Sequence, residues 1–271
     1  AAVHALEQQP RTLPFIRGAN LEQQPRTLPF IRGVNLGSTF IPEKWMVPSF
    51  YVGTGASSLC ELVRFNRTVA AERMRRHLDS FVTEEDFEWL ATRGFNSVRV
   101  PVGYWTALGA VAGIPYVPAS PGESLAYLDR FFDWAEKYDV TVLLDLHGAP
   151  GSQNGMHHSG CDDSVGWNRD PLNFAFSLSA VEELVRRYAA HPSFLGIELL
   201  NEPGWAVEWE HGRLVDFYRR AHALVDDGVA AVISLDASNV SAASRRSCLL
   251  TPAHGHRLPP RVSTAMRNRP Q

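Results

Sequence analysis

The sequence predicts an α/β fold, a (β/α)8 TIM barrel in which about five of the eight β/α units are present. Short apolar runs alternate with stretches whose apolar residues recur at helical spacing, as in parallel sheets covered by helices. Polar residues stand at the ends of successive apolar runs, and the alternation of these runs with helical stretches stops after Asp236. A closed barrel needs eight strands, so the predicted barrel is incomplete.

Five apolar runs are interpreted as strands. Their side chains are apolar on both faces, which is typical of strands in parallel sheets that are covered on both sides. The runs cover residues 29–36, the stretch after Phe95 that ends at 98–100, and residues 140–146, 194–200 and 229–235.

Four stretches between these runs have helical patterns. Thr83 and Asp86 form a capping box before the first of them, and Gly94 ends it. All four are expected to be helix faces that pack on the core. The other three stripes consist of Leu125, Leu128, Phe131, Phe132 and Ala135; of Val181, Leu184, Val185 and Tyr188; and of Leu214, Phe217, Tyr218, Ala221, Leu224 and Val225.

Two architectures fit this alternation, a (β/α)8 barrel and a doubly wound sheet. No glycine-rich nucleotide fingerprint follows any of the runs, so the usual nucleotide-binding motifs are absent from the sequence. The polar strand ends favour the barrel, because barrel strands converge on one mouth where active sites lie. These polar residues are Asn35, Arg99, His147, Asn201 and Glu202.

Composition and charge narrow the class of protein. The 271 residues have a net charge of −3 and are 45% hydrophobic, which is ordinary for a soluble globular chain. We therefore expect no nucleic acid and no membrane as partner. The charge is uneven, because residues 237–271 hold six arginines and no acid. Subtracting them leaves 20 basic and 29 acidic residues in 1–236, a net charge of −9.

The N-terminus contains a duplication. Residues 6–20 and 21–35 are copies that differ only at Ala19 and Val34. One tandem copy is too short for a repeat fold. We therefore expect residues 1–20 to be a duplicated extension, residues 21–236 to be a partial barrel, and residues 237–271 to be a disordered tail.

Cysteine and histidine residues suggest neither a disulfide framework nor a metal site. Cys60, Cys161 and Cys248 form an odd, widely spaced set, which does not indicate a framework of disulfides. His157 and His158 stand near Cys161 and two aspartates, but their spacing matches no zinc pattern. No metal and no other cofactor is expected.

The end of the fourth run carries the first candidate catalytic group. Within residues 196–203, Asn201 and Glu202 stand at the end of a predicted strand. Pro203 ends the strand, because proline cannot donate to the hydrogen-bond ladder of a sheet. A glutamate at the rim of an apolar barrel is expected to be desolvated, which favours the protonated form that a general acid at a glycosidic oxygen needs. Asn201 could then bind a sugar hydroxyl. The Asn-Glu-Pro triplet alone fits equally well an acid in the first turn of a helix.

Three other motifs carry candidate binding side chains. His147 precedes a glycine-rich loop that lets backbone approach a ligand, although a lone histidine is more often structural. Arg99 is either a buried ion-pair partner or a group that orients glutamates. Glu43 and Trp45 are a common sugar-binding pair, in which the acid takes hydroxyls and the ring covers C–H faces. A surface glutamate near a core tryptophan fits that pair equally well.

Five motifs in order resemble glycoside hydrolase family 5, in particular its exo-β-1,3-glucanases (glucan β-glucosidases). They are RGVNLG, PEKWM-x-PS, FNSVRVPVGYW, LLDLHGAPGSQNG and ELLNEP, and they lie within 26–236. The resemblance implies a (β/α)8 barrel, a retaining mechanism, a β-glucan or oligosaccharide substrate, and an extracellular or cell-wall location. A monomer is expected.

The same resemblance implies roles for single residues. Glu202 would be the acid/base, and Asn201 would bind the 2-hydroxyl of the reacting sugar. Arg99 and His147 would shape that subsite, and Glu43 would bind the terminal glucose.

The chain departs from the family pattern at two places. Gly37-Ser38 stands where the family usually has two glycines, and Met156-His157 stands where related exo-glucanases often have an aromatic residue and an aspartate. The second departure leaves the linkage preference open.

The nucleophile is the missing half of the mechanism. A retaining glycosidase needs a second carboxylate about 5 Å from the first, which this family places at the end of its seventh strand. After Glu202 the remaining glutamates are Glu208 and Glu210, which end no buried run, and Asp236 is a poor candidate. We therefore expect no nucleophile in this chain and no hydrolysis of β-glucan by it alone. A non-catalytic carbohydrate-binding protein and a gene-model fragment stay open, as do exo or endo action and transglycosylation.

Overall fold

Five parallel strands form the sheet of the computed structural model, which describes residues 30–109, 121–161, 165–204, 211–226 and 232–233. The strands are β1 (Gly33–Asn35), β2 (Ser97–Gly103), β3 (Thr141–Gly148), β4 (Phe194–Glu198) and β5 (Val232–Ile233). Their order in the sheet is their order in the chain. A doubly wound sheet reverses its strand order at a switch point, whereas a barrel does not. The predicted fold class, a (β/α)8 barrel with five strands, is confirmed for the described residues.

Seven α-helices and two short 3-10 turns accompany the strands in the described part of the chain. Three of the helices, α1, α2 and α4, were not predicted. Helix α2 is strongly polar and buries only a narrow stripe, so hydrophobic periodicity gives a weak signal there. The helices are α1 (Leu59–Phe65), α2 (Arg67–Ser80), α3 (Glu84–Thr92), α4 (Tyr104–Leu108), α5 (Pro121–Lys137), α6 (Pro171–Tyr188) and α7 (His211–Asp226).

The predicted helices α3, α5, α6 and α7 are confirmed. At the start of α3 the backbone N–H of Thr83 donates to Asp86 Oδ2 at 2.8 Å, and Gly94 follows its end with φ 79°. The predicted apolar stripes face the core, with Leu128, Phe131 and Leu184 fully buried. The hydrophobic effect therefore holds these helices on the sheet, because each buried side chain of this size contributes about 2 kcal/mol.

The fourth strand is shorter than predicted. The apolar run suggested residues 194–200, but β4 ends at Glu198. The next residues leave the regular ladder while staying beside β3, since the N–H of Asn201 donates to the carbonyl of Leu146 at 3.0 Å. This irregular segment turns the last polar residues of the run into the mouth of the barrel.

A disulfide joins Cys60 of α1 to Cys161, with the two Cα atoms 5.0 Å apart. The sequence was expected to contain no disulfide framework, and this single bond was not predicted. The fold brings together residues separated by 101 positions, which spacing along the sequence cannot reveal. A backbone hydrogen bond of 2.8 Å from the N–H of Cys60 to the carbonyl of Gly160 supports the same junction.

Several predictions concern residues outside the described ranges. These are the duplicated extension 1–20, the tail 237–271, and the residues Cys248, Glu208, Glu210 and Asp236. The predicted domain boundaries stay predictions. Backbone contacts divide the chain into the units Ala1–Ile31 and Arg32–Gln271, and the whole sheet belongs to the second. Among the described helices, none combines the length and apolarity needed to cross a membrane.

Candidate active site

A buried ion network lies at the core of strands β2, β3 and β4. The guanidinium of Arg99 donates through Nε to Glu198 Oε2 at 2.7 Å, and its Nη2 lies 2.8 Å from Asp145 Oδ2. Asp145 and Glu198 are register partners on neighbouring strands, and their side chains are 0% and 3% exposed. One cation therefore serves two buried carboxylates and connects three strands.

The network shifts the proton affinities of its members. Burial lowers the pKa of Arg99, but the charges of Asp145 and Glu198 outweigh it and raise that pKa above its usual value. Burial raises the pKa of the Glu198 carboxyl to about 7, and the Asp145 charge adds to this while Arg99 opposes it. Glu198 therefore exchanges a proton near neutral pH.

Arg99 also fixes two asparagines at the strand ends. Its Nη1 donates to Asn35 Oδ1 at 3.0 Å, and its Nη2 donates to Asn201 Oδ1 at 2.9 Å. The backbone carbonyl of Asn201 accepts from Gln153 Nε2 at 2.9 Å. With its oxygen engaged, Asn201 keeps a buried Nδ2 that has no hydrogen-bond partner among the described residues. A buried donor without an acceptor destabilises the folded state, because its lost contact with water is not replaced. An oxygen atom of a ligand could supply the missing acceptor.

His147 is oriented by the same network. Its Nδ1 lies 2.6 Å from Asp145 Oδ2, the oxygen that Arg99 also contacts. The Nδ1–H group donates to the carboxylate, which leaves Nε2 of the ring for a ligand. A carboxylate on one imidazole nitrogen sets both the tautomer and the direction of the ring.

Glu202 lies at the end of the irregular segment after β4. Its φ of 43° is in the left-handed region, which is unfavourable for a residue with a side chain and recurs at functional sites. The carbonyl of Glu202 accepts from Asn154 Nδ2 at 3.1 Å. The expected desolvation of this carboxylate was wrong: the Glu202 side chain is 52% exposed, because the turn at residue 202 carries it beyond the apolar rim.

His158 approaches the Glu202 carboxylate, with 3.4 Å between Nε2 and Oε2. Asn154 defines the state of this imidazole. Its Oδ1 accepts from the N–H of Met156 and its Nδ2 donates to the Glu202 carbonyl, so the amide orientation is fixed. Nδ2 therefore also faces His158 Nε2, at 2.8 Å, and that nitrogen must accept. Burial, together with the nearby His147 and His157, lowers the pKa of His158 to about 4, so the ring is neutral at physiological pH.

The loop that carries His157 and His158 is held in place by several contacts. Trp105 fills a slot lined by glycines, since a Cβ at Gly148 or Gly160 would come within 2.8 Å or 2.5 Å of its ring. Ser152 Oγ and Ser159 Oγ are hydrogen-bonded at 2.7 Å inside the loop. Together with the disulfide described above, these contacts hold the histidines in place before any ligand arrives.

Glu43 and Trp45 form the outer part of the site. The indole Nε1 of Trp45 donates to Glu43 Oε2 at 2.8 Å, and His157 Nε2 lies 3.6 Å from the same oxygen. Trp45 is 70% exposed, so its ring is open to solvent. The predicted pairing of this carboxylate with an indole is present in the structure.

Contacts connect all six predicted site residues. Glu43, which is paired with Trp45, contacts His157. The ring centroid of His157 lies 6.0 Å from that of His158. His158 contacts Glu202 and lies 5.3 Å, between centroids, from His147. The Asp145 contact described above then joins His147 to Arg99 and Asn201.

Sequence reasoning missed four members of this site. Asp145 and Glu198 are charged residues inside apolar runs that read as buried strands, and that conflict was a usable signal. Asn154 was seen only as part of a loop and His158 only as part of a rejected zinc pattern, and no pattern in the sequence indicates their mutual contact. Among the described residues, no group of three or more histidine, cysteine or acidic side chains is suited to hold a metal ion.

The family Cellulase (glycosyl hydrolase family 5) matches residues 66–241, which is more than half of the chain. The chain belongs to glycosyl hydrolase family 5. This membership agrees with the order of the parallel strands and with the family that the five sequence motifs indicated.

Two curated relatives of this chain are fungal proteins. A glucan 1,3-beta-glucosidase of Blumeria graminis is 41% identical over 174 residues, which is 62% of this chain and 39% of that protein. A glucan 1,3-beta-glucosidase of Pichia angusta is 34% identical over 211 residues, which is 74% of this chain and 47% of that protein. The chain therefore spans less than half the length of these relatives.

Solved structures of the family share the fold. The crystal structure of rutinosidase from Aspergillus niger superposes with a TM-score of 0.64 at 21% identity, covering 72% of this chain and 59% of that one. At this identity the similarity concerns the fold alone, and it supports the barrel assignment.

Proposed function

We propose that Glu202 is the general acid/base of β-glucan hydrolysis by a retaining mechanism, and that this chain supplies that part of the reaction. The observation that carries this proposal is the buried, unpartnered Nδ2 of Asn201 directly before Glu202. Arg99 fixes the oxygen of that amide, so the Nδ2 donors remain for a substrate hydroxyl. A carboxyl beside such a donor, at the end of a barrel strand, suits protonation of a glycosidic oxygen.

The remaining side chains fit the binding of a terminal sugar. In the proposal Asn201 binds the 2-hydroxyl, and Arg99 and His147 shape the same subsite. Glu43 binds hydroxyls of the terminal glucose while the exposed ring of Trp45 covers a C–H face. The names of the fungal relatives, glucan 1,3-beta-glucosidases, support β-1,3-linked glucan as the substrate, and exo action on it is part of the proposal.

The proposal gives this chain the acid/base half of the reaction. The nucleophile, a second carboxylate about 5 Å from Glu202 in retaining enzymes, is assigned to no residue of the chain. The Cys60–Cys161 disulfide supports an extracellular or cell-wall location, because such bonds persist in oxidising compartments. The protein is proposed to act as a monomer without metal or other cofactor.

Binding of short glucans tests the substrate class. Calorimetric titration of the 271-residue chain should give tighter binding for laminaritriose (β-1,3-linked) than for cellotriose (β-1,4-linked). Asn201→Ala should weaken laminaritriose binding about tenfold, because it removes a buried donor. Asn66→Ala is the matched control, since it removes an amide that caps α2 outside the site. Equal affinity of the Asn201 variant and the wild type would contradict the proposal.

A further inference from the structure

A strained serine lies between β1 and the predicted sugar-binding glutamate. Ser38 is 2% exposed and has a φ of 60°, a backbone conformation that glycine adopts without strain and that other residues rarely adopt. Because strain of this kind persists only where the surroundings impose it, the side chain or its contacts must offset the cost.

The contacts of Ser38 lead directly to Glu43. Its Oγ accepts the backbone N–H of Glu43 at 3.1 Å and lies 3.2 Å from Met46 Sδ. Its carbonyl accepts from His77 Nε2 of α2 at 2.8 Å. The His77 ring stacks on Phe81 with centroids 4.4 Å apart, so the imidazole that holds Ser38 is itself fixed.

We propose that Ser38, held by His77, is a positioning residue that fixes Glu43 for sugar binding. The inference rests on the proposed function, because it requires Glu43 to contact the sugar. The hydroxyl of Ser38 is an acceptor that a glycine cannot supply. The backbone carbonyl of Glu43 in turn accepts from the N–H groups of Met46 and Val47, so one fixed residue orders the whole turn that presents Trp45.

Amide hydrogen exchange in the 271-residue chain tests the contact without any ligand. Ser38→Ala and Ser38→Gly remove the acceptor and should speed exchange of the Glu43 amide at least about tenfold. Asp139→Gly is the matched control, since it relieves a positive φ of 54° at a residue that belongs neither to the site nor to this turn. Its Glu43 amide should exchange as in the wild type. An unchanged Glu43 rate in both Ser38 variants would overturn the inference.

Laminaritriose affinity tests the consequence for binding. Both Ser38 variants and His77→Leu should weaken binding about fivefold to tenfold, whereas Asp139→Gly should not change it. His77→Gln keeps a donor and should restore most of the affinity, which a merely structural loss of packing would not allow. Glu43→Gln separates the two claims. If it weakens binding while the Ser38 variants do not, the inference alone is overturned; if it binds as the wild type does, both claims fail.

Discussion

Arg99 Nη2 donates to Asn201 Oδ1 across 2.9 Å, which joins β2 to the residue before the candidate acid/base. The same guanidinium contacts the buried carboxyl groups of Asp145 and Glu198 in the interior of the sheet. The orientation of the Asn201 amide therefore depends on a buried ion network. Changes that disturb this network should alter stability and the site together.

Removing Arg99 should be strongly destabilising. Arg99→Met leaves two buried carboxylates without their cation, and breaking a buried pair in this way costs about 3–5 kcal/mol. Urea unfolding at pH 7 measures the loss. Arg186→Met is the control, because Arg186 forms a surface pair with Glu183 and is 63% exposed, so that its loss should cost at most about 1 kcal/mol. Equal losses in the two variants would contradict the network.

Titration of Glu198 should make stability fall as the pH rises. Its pKa is raised from 4.5 to about 7, so between these values the folded state holds a proton that the unfolded state has released. Stability should therefore decrease from pH 4.5 to pH 7, by roughly 3 kcal/mol at most. Glu198→Gln cannot titrate, and its unfolding free energy should lack this decrease. A variant with the same slope as the wild type would show that Glu198 is not the titrating group.

Titration of His158 should make stability fall as the pH decreases. Its pKa is lowered from 6.5 to about 4, so the unfolded state binds a proton in this window and the folded state does not. Stability should therefore be lost as the pH falls from 6.5 to 4, by roughly 3 kcal/mol at most. His158→Asn removes the group, and unfolding measured across this range should show a smaller acid-side loss. The prediction fails if the imidazole titrates near 6.5 in an NMR experiment on the folded chain.

Loss of the disulfide should destabilise the fold. Cys60→Ala combined with Cys161→Ala releases a cross-link over 101 residues, and removal of such a bond costs about 2–5 kcal/mol. The same change frees one side of the loop that carries His157 and His158. Thermal unfolding with and without reductant measures the effect, and Cys248→Ala is the control. Equal melting temperatures in both conditions would contradict the bond.

Much of the fold could be predicted because it depends on local patterns. The buried stripe around Phe131 and the capping box at Thr83 are signals within a few residues, and both were confirmed. The polar strand ends predicted one mouth, and Arg99, His147 and Asn201 do lie within one connected group of contacts.

The remaining features depend on contacts between distant residues. The bond between Cys60 and Cys161 spans 101 positions. The exposure of Glu202 depends on a positive φ that the sequence Asn-Glu-Pro does not reveal. The neutral state of His158 depends on the orientation of Asn154, which two backbone groups set.

Glycosyl transfer from α-glucosyl fluoride tests the role of Glu202 most directly, because it needs no enzymatic nucleophile. The acceptor hydroxyl of a nitrophenyl β-glucoside attacks C1, the C1–F bond breaks, fluoride leaves, and the hydroxyl proton passes to the Glu202 carboxylate. The wild-type chain should release fluoride and form a β-linked product, and Glu202→Gln should form at least about a hundredfold less product. Equal product from both proteins, or binding of laminaritriose without any transfer, would contradict Glu202 as the acid/base.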